Sequence, residues 1–275
     1  MSTEELQIFL DIATEAAQAG GAVLMSYWGN LKDIQEKGSP GNLVTEADKA
    51  AEEAIVKVLQ RHLPQHGILT EESGELGDTT SKYLWSIDPL DGTTNFAHQY
   101  PFSAASVGLL IDGVPQVGAV FNPILDELFQ AAKGLGATRN RKPIQVSTTT
   151  ILAKSLVITG FAYDRRETTD NNYGEFCQMC HLSQGVRRSG SAALDLASVA
   201  CGRADGYWER GLSPWDIAAG VVLVEEAGGH VTAYNGSPFD LKSGKILATN
   251  GKIHDLMSQA LVETPPLTNW GTNAS

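Results

Sequence analysis

At 275 residues, with 42% hydrophobic and 19% charged side chains, the chain has the balance of a folded globular protein and room for one large domain or two modest ones. Its formal net charge of −12 argues against partners that carry phosphate backbones or anionic headgroups, so no nucleic acid and no membrane are expected. An anionic substrate would then need positive charge supplied locally, and a metal ion is the simplest source.

Along the chain, Leu6, Phe9, Leu10, Ala13, Ala16 and Ala17 recur at helical spacing, which predicts an amphipathic helix over 4–28 with Gly29 after its end. The segment has no basic leader and no long apolar run, so neither a signal peptide nor a membrane span is expected. "KGSPGN" (37–42) reads as a loop. A second helix is predicted from Glu46 to His62, with Thr45 as its N-cap and Pro64 just beyond it. "HGILTEESGE" predicts a short strand ending in acid, and "YLWSID" another strand. Residues 103–138 alternate strand-like runs with turns, Asp112-Gly113 being the clearest, as in an antiparallel meander.

Beyond about residue 146 the pattern changes. "SLVITGFAY" (strand), "SAALDLASVACG" (helix), "DGYWER" (strand), "PWDIAAGVVLVEEAGG" (helix), "KILATN" (strand) and "IHDLMSQALV" (helix) alternate as in a layered α/β domain. The expected division is therefore 1–145, an α+β part, and 146–275, an α/β part, with a loose polar tail from Glu263. Cys177, Cys180 and Cys201 do not make a disulfide framework, which fits a reducing, cytoplasmic location. Cys177 and Cys180 have the spacing of half a zinc site but lack a second pair, so with His181 beside them they are expected to pack in the core.

Acidic groups collect at the ends of predicted elements. Glu71-Glu72 closes one strand, Asp88 and Asp91 follow another, Asp48 lies in the first turn of the second helix and Asp216 in the first turn of a later one. Each has an ordinary reading alone. Asp48 and Asp216 complete capping boxes with Thr45 and Ser213, and the others suit turns. Strand ends and helix starts tend to meet at one edge of a packed fold, where sites form. If these acids converge they cannot all ionise without cations, and hard oxygen donors without histidine point to magnesium rather than zinc. The aspartates at 88 and 91 are three apart, with Pro89 fixing a turn between them and the Leu90 carbonyl available. That spacing differs from the Asp-x-Asp of phosphatases with an aspartyl nucleophile.

Taken together, "GNLVTEAD" (41–48), "TEES" (70–73), "DPLDGTTNF" (88–96) and "WDIAAG" (215–220), in this order and separation, resemble the inositol monophosphatase family of magnesium-dependent, lithium-sensitive phosphatases. The resemblance runs from the first helix to about residue 260. It implies an α+β / α/β fold, the layered αβαβα sandwich of the inositol monophosphatase and fructose-1,6-bisphosphatase type, and a homodimer. It further implies two or three Mg2+ ions: one on Glu71, Asp88 and the Leu90 carbonyl, a second on Asp88, Asp91 and Asp216, and a weaker third on Glu71. Thr93 would hydrogen-bond the metal-activated water and Asp48 would orient Thr93, which makes Glu71, Asp48 and Thr93 the catalytic residues. Substrate would be held by Gly92, Thr93 and Thr94 at the phosphate, and by Gly190, Ser191, Ala192, Glu209 and Asp216 around it, with Asp195 either on a ring hydroxyl or simply on its helix. Lys37 would be a minor electrostatic helper.

The implied activity is hydrolysis of a small phosphate monoester, inositol monophosphate first. Histidinol phosphate, a sugar phosphate or fructose 1,6-bisphosphate are alternatives, and a regulatory interaction protein of the same family is a reading from another class. Arg165-Arg166 and Arg187-Arg188 are either receivers of a second phosphate or solvated surface.

Overall fold

The fold is a computed structural model that describes residues 1–38 and 41–267. Positions 39 and 40 of the expected loop and 268–275 of the expected tail lie outside the described residues. Helix α1 (Thr3–Tyr27) starts at a capping box. The Ser2 hydroxyl accepts from Glu5 N–H at 3.2 Å, and the Glu5 carboxylate accepts from Ser2 N–H at 2.8 Å. By length and composition α1 could cross a membrane, but its small and aliphatic face, Leu6 through Leu24, is buried in the core. A short hairpin, β1 (Ile34–Glu36) and β2 (Leu43–Thr45), leads into α2 (Glu46–His62). The two helices pack tightly because Gly20 has no side chain: a Cβ there would stand 2.7 Å from Ile55.

The first sheet follows: β3 (Gly67–Thr70), β4 (Gly74–Leu76), β5 (Tyr83–Asp91), then the short helix α3 (Thr93–Ala97), then the meander β6 (Ala104–Ile111), β7 (Val114–Asn122), β8 (Glu127–Ala132), β9 (Gly136–Arg139) and β10 (Lys142–Pro143). Its order is β10-β9-β8-β7-β6-β5-β3-β4, antiparallel throughout except for the β3–β5 pair. Asp112 (φ 51°) and Gly113 (φ 79°) form the two-residue turn between β6 and β7, the left-handed pair that a tight hairpin needs.

The second sheet is built from β11 (Leu156–Thr159), α4 (Tyr173–Leu182), β12 (Gly185–Arg187), α5 (Ala192–Ala200), β13 (Gly206–Glu209), α6 (Pro214–Glu226), β14 (His230–Thr232), β15 (Ile246–Thr249) and α7 (His254–Glu263). Its order is β12-β11-β13-β15-β14, with the first three strands parallel. Three clusters of buried side chains define the layers. One joins α1 and α2 to the first sheet, a second encloses α5 and α6 between the sheets, and a third joins α4 and α7 to the far face of the second sheet. The result is the expected αβαβα sandwich. The sheets are separated in sequence between residues 143 and 156, while the central helices share one core with strands of both.

Some local expectations fail. The strand read over "SLVITGFAY" stops at Thr159, and Tyr163–Arg166 instead form a 3-10 turn. Helix α7 extends through Glu263, where the loose tail was expected to start. Cys177 and Cys180 are exposed rather than in the core, since residues three apart share a helical face and it is Met179, on the other face, that is buried.

Candidate active site

A cavity of about 500 Å³ opens where the ends of β3 and β5 meet the C-terminal ends of β11, β12 and β13 and the first turns of α5 and α6. It brings together Glu71, Asp88, Leu90, Asp91, Gly92, Thr93, Thr94, Gly190, Ser191, Ala192, Glu209 and Asp216, residues separated by up to most of the chain. The expected turn at Pro89 is in fact a bulge inside β5. Asp88 pairs with Ser106 and Asp91 with Ala104, so Pro89 and Leu90 together face the single residue Ala105. Two aspartates three apart in sequence thereby become two apart in register, and both point to the same side of the sheet.

Each acid is held by donors from its own neighbourhood. Asp88 accepts from Leu90 N–H at 2.9 Å, and Asp91 accepts from the Ser191 hydroxyl at 2.6 Å and Ala193 N–H at 2.7 Å. The second contact ties the first sheet to the start of α5. Asp216 accepts from Ser213 N–H at 2.6 Å, which is the capping reading, and faces the cavity as well, so both readings of it hold. Burial first, and then the mutual repulsion of Glu71, Asp88, Asp91 and Asp216, push these aspartates above the usual carboxylate range, Asp91 to about 6.

Asp48 is fully buried and lies behind the cavity wall. One of its oxygens caps α2, accepting from Thr45 N–H at 2.8 Å and the Thr45 hydroxyl at 2.6 Å. The other stands 3.1 Å from Thr93 Oγ1, which is also 3.1 Å from the Leu90 carbonyl, so the single Thr93 proton has two acceptors to choose between. Burial raises Asp48 to about 6 against the hydrogen bonds from Thr45 and Thr93. Gly92 opens α3 in the left-handed region at φ 90°, and a Cβ there would lie 3.0 Å from the Phe102 carbonyl and 3.1 Å from that of Gly190. Asn95 spans the same junction, donating to the carbonyls of Phe102 at 2.7 Å and Ser189 at 2.8 Å.

Also on the cavity wall, Glu209 accepts from the Tyr207 hydroxyl at 2.7 Å, and burial lifts it to about 7. Its carboxylate lies flat over Gly160, where a Cβ would come within 2.1 Å of both oxygens. Asp195 is buried behind this wall and does not line the cavity; its Oδ1 has no hydrogen-bond partner. Lys37 bridges Glu71, at 3.0 Å, and Glu72.

Two contributors have no clear motif. Glu52 is buried and holds the "TEES" turn by accepting from the Thr70 and Ser73 hydroxyls and from Glu72 N–H at 3.0 Å. Its only trace in the sequence is an acid on the buried stripe of α2, four residues after Asp48. Tyr163 lines the cavity with its side chain half exposed, and loss of solvation at its hydroxyl followed by the field of Glu71, Asp91, Asp216 and Asp88 pushes its phenol up.

The donor set is one of hard oxygens. Among the described residues no three His, Cys, Asp or Glu side chains already close on one point as a complete shell for an ion. A small divalent cation fits nonetheless: it keeps several waters and takes one or two carboxylates at a time. The clustered, buried acids whose ionisation is suppressed without a counter-charge are what such a cation would relieve.

Layered fold and oxygen-lined cavity together place a cluster of hard oxygen donors at the seam between the two sheets. The family model for the inositol monophosphatase family matches residues 5–265, and the chain belongs to that family. It is 63% identical over 264 residues to an inositol-1-monophosphatase of Synechocystis sp., covering 96% of this chain and 92% of that one. The Nus factor SuhB of Escherichia coli is 41% identical over 249 residues, covering 89% and 92%. Among solved structures, an inositol monophosphatase from Anabaena (Nostoc) sp. superposes with a TM-score of 0.89 at 63% identity, covering 97% of this chain and all of that one. A Thermotoga maritima IMPase superposes at 0.85 with 33% identity, covering 93% and 97%.

Proposed function

We propose that the protein hydrolyses inositol monophosphate to inositol and inorganic phosphate, with magnesium as its cofactor. The observation that carries this reading is the convergence of Glu71, Asp88, Asp91 and Asp216 on one cavity, which Thr93, bonded to Asp48, and Glu209 also line. The name of the Synechocystis relative supports the substrate, and the all-oxygen donor set supports magnesium.

Magnesium bound among these oxygens, two or three ions in number, would acidify water and offset the charge of the phosphoryl group. Glu71, Asp88, the Leu90 carbonyl, Asp91 and Asp216 would hold it. The chain's own residues do the rest. Thr93 Oγ1 accepts a hydrogen bond from the attacking water while its own proton is directed to Asp48 Oδ1. Asp48 can carry a proton near neutrality because burial raises it to about 6. Phe96 N–H is bonded to the Gly92 carbonyl at 3.0 Å, which leaves the N–H groups of the turn before it for the phosphate, as the family resemblance implies. Glu209, fixed by Tyr207, takes hydroxyls of the alcohol part. In-line displacement then needs only positioning and charge neutralisation, with no covalent intermediate on the protein.

The family resemblance supports a homodimer and lithium sensitivity. The three free cysteines support a reducing, cytoplasmic location, and the net charge of −12 supports a small-molecule partner over nucleic acid or membrane. The test is phosphate release from inositol 1-phosphate, histidinol phosphate and 3′-phosphoadenosine 5′-phosphate, each with and without Mg2+ and with Li+ added. Magnesium-dependent, lithium-inhibited release led by inositol 1-phosphate is expected. Release led by either other ester would move the substrate elsewhere.

A further inference from the structure

Behind the cavity, Asn172 joins the ends of two strands whose next residues, Gly160 and Glu209, line it. Asn172 is 2% exposed, does not line the cavity itself, and precedes α4 as its N-cap at φ 67°, in the left-handed region. We propose that Asn172 is a positioning residue for the alcohol part of the substrate: its amide fixes Gly160, against which the Glu209 carboxylate lies, and so acts on substrate only through Glu209. The inference rests on the reading of this cavity as a phosphomonoesterase site with Glu209 at the alcohol.

An asparagine at an N-cap ordinarily serves its own helix, accepting from a backbone N–H of the first turn. Asn172 makes no such bond. Its side chain is turned to β11 and β13 instead. Oδ1 accepts from Trp208 Nε1 at 2.7 Å, while Nδ2 donates to Thr159 Oγ1 at 2.8 Å and to the Gly160 carbonyl at 2.7 Å. These partners allow one orientation of the amide. An indole N–H can only donate and a carbonyl can only accept, so oxygen faces Trp208 and nitrogen faces Gly160. Thr159 Oγ1 gives its own proton to the Trp208 carbonyl at 2.5 Å, which leaves its lone pairs for Asn172. Both amide hydrogens are thereby committed, and neither goes to the helix that Asn172 precedes.

Strand pairing shows what this amide adds. The register of β11 with β13 runs Val157–Gly206, Ile158–Tyr207 and Thr159–Trp208, and ends there. Gly160 lies one residue beyond that ladder, and its carbonyl is taken by Asn172. Glu209 follows Trp208, and its carboxylate occupies the space beside Gly160, where a Cβ would stand 2.1 Å from both oxygens. Glu209 is therefore set from two sides: directly by the Tyr207 hydroxyl at 2.7 Å, and by Gly160, which Asn172 holds. The same bond ties together the two ends of the connection over 161–171, which carries Tyr163 to the cavity. Asparagine meets both demands of the position, since it tolerates the left-handed backbone and offers donors and an acceptor on one short side chain.

The test is the ratio of KM for inositol 1-phosphate to KM for p-nitrophenyl phosphate, which has no polyol hydroxyls, measured on the full chain with Mg2+. Asn172→Gly keeps the left-handed backbone and removes the amide. Asn172→Asp keeps the size and the acceptor for Trp208 but sets a carboxylate oxygen against the Gly160 carbonyl. Each should raise the ratio roughly 10-fold, the order expected when a buried hydrogen-bonding group loses its partner. Added to Glu209→Gln, Asn172→Gly should raise the ratio no further, because the two residues act through one carboxylate. A merely structural role would make the two effects independent, and a loss of folded protein lowers both rates while moving neither KM. An unchanged ratio in both single variants, or a full further increase in the double variant, overturns the inference. Where Glu209→Gln alone still raises the ratio, only the role of Asn172 falls. An unmoved ratio in Glu209→Gln also overturns it and takes the alcohol reading of Glu209 with it. If neither ester is cleaved by the wild-type protein, the phosphomonoesterase reading falls and the inference with it.

Discussion

Gly160 and Glu209 are forty-nine positions apart in number and in contact in space, and neither is intelligible without the other. Any side chain at 160 would occupy the volume of the Glu209 carboxylate, 2.1 Å from its oxygens. Gly160→Ala should therefore displace Glu209 and raise KM for inositol 1-phosphate about as much as Glu209→Gln does, with p-nitrophenyl phosphate, which has no polyol hydroxyls, affected far less in both. Equal KM changes on the two substrates would remove this pair from the alcohol subsite. Thr93→Ala should lower kcat by roughly 10²-fold with little change in KM, because it removes a hydrogen bond to the water rather than to the substrate. A steady-state assay showing a KM effect alone would contradict that role. The acids were legible in the sequence because several sit in one ordered set of short motifs. Gly160, Tyr163 and Glu52 were not, since their meaning lies in what the fold sets against them.

Element by element, the position of α6 decides where Asp216 stands. The helix rests on the first sheet at a spot cleared by two glycines that face each other across β6 and β7, Gly108 and Gly118. A Cβ at Gly118 would meet the Ala219 carbonyl at 2.4 Å, and one at Gly108 would meet Ala218 at 2.9 Å. Gly118→Val should push α6 off the sheet, cost about 1–3 kcal/mol from overpacking, and weaken Mg2+ binding by carrying Asp216 with it. Calorimetry showing wild-type stability and wild-type Mg2+ affinity would disprove the link. Long periodic helices such as α1, α2 and α6, and the meander with its Asp112-Gly113 turn, could be read from the sequence. The strands of three residues, β1, β2, β4, β12 and β14, could not, because so short a run shows no period and is fixed by its partners across the sheet. The bulge in β5 was hidden for the same reason: an extra residue is visible only against the strand beside it.

For the molecule as a whole, the acid cluster is a standing cost that bound cations would relieve. Asp48 and Asp91 titrate at about 6 in the fold against 3.8 for a free aspartate, and Glu209 at about 7 against 4.5. Folded carboxyls with raised pKa hold protons that the unfolded chain has already released, so stability falls as pH rises from about 4 through about 7, and Asp88, Asp195 and Asp216, raised further still by burial, continue the fall. Metal-free protein should follow this course in thermal melts, and Mg2+ should raise Tm more at pH 8 than at pH 5. A Tm increment independent of pH would separate the cation from these carboxylates. The five-layer architecture followed from the family resemblance alone, whereas the way α5 and α6 join both sheets into one core depends on packing that no single segment encodes.

The central claim is that the carboxylates on the cavity wall hold the magnesium that hydrolysis requires. It is tested most directly by measuring phosphate release from inositol 1-phosphate across a Mg2+ titration, in the wild-type protein and in Asp91→Asn. Saturable, Mg2+-dependent release that drops by roughly 10²-fold or more in the variant is the predicted result. Release that persists without divalent cations, or an Asp91→Asn protein that turns over at the wild-type rate, would contradict it.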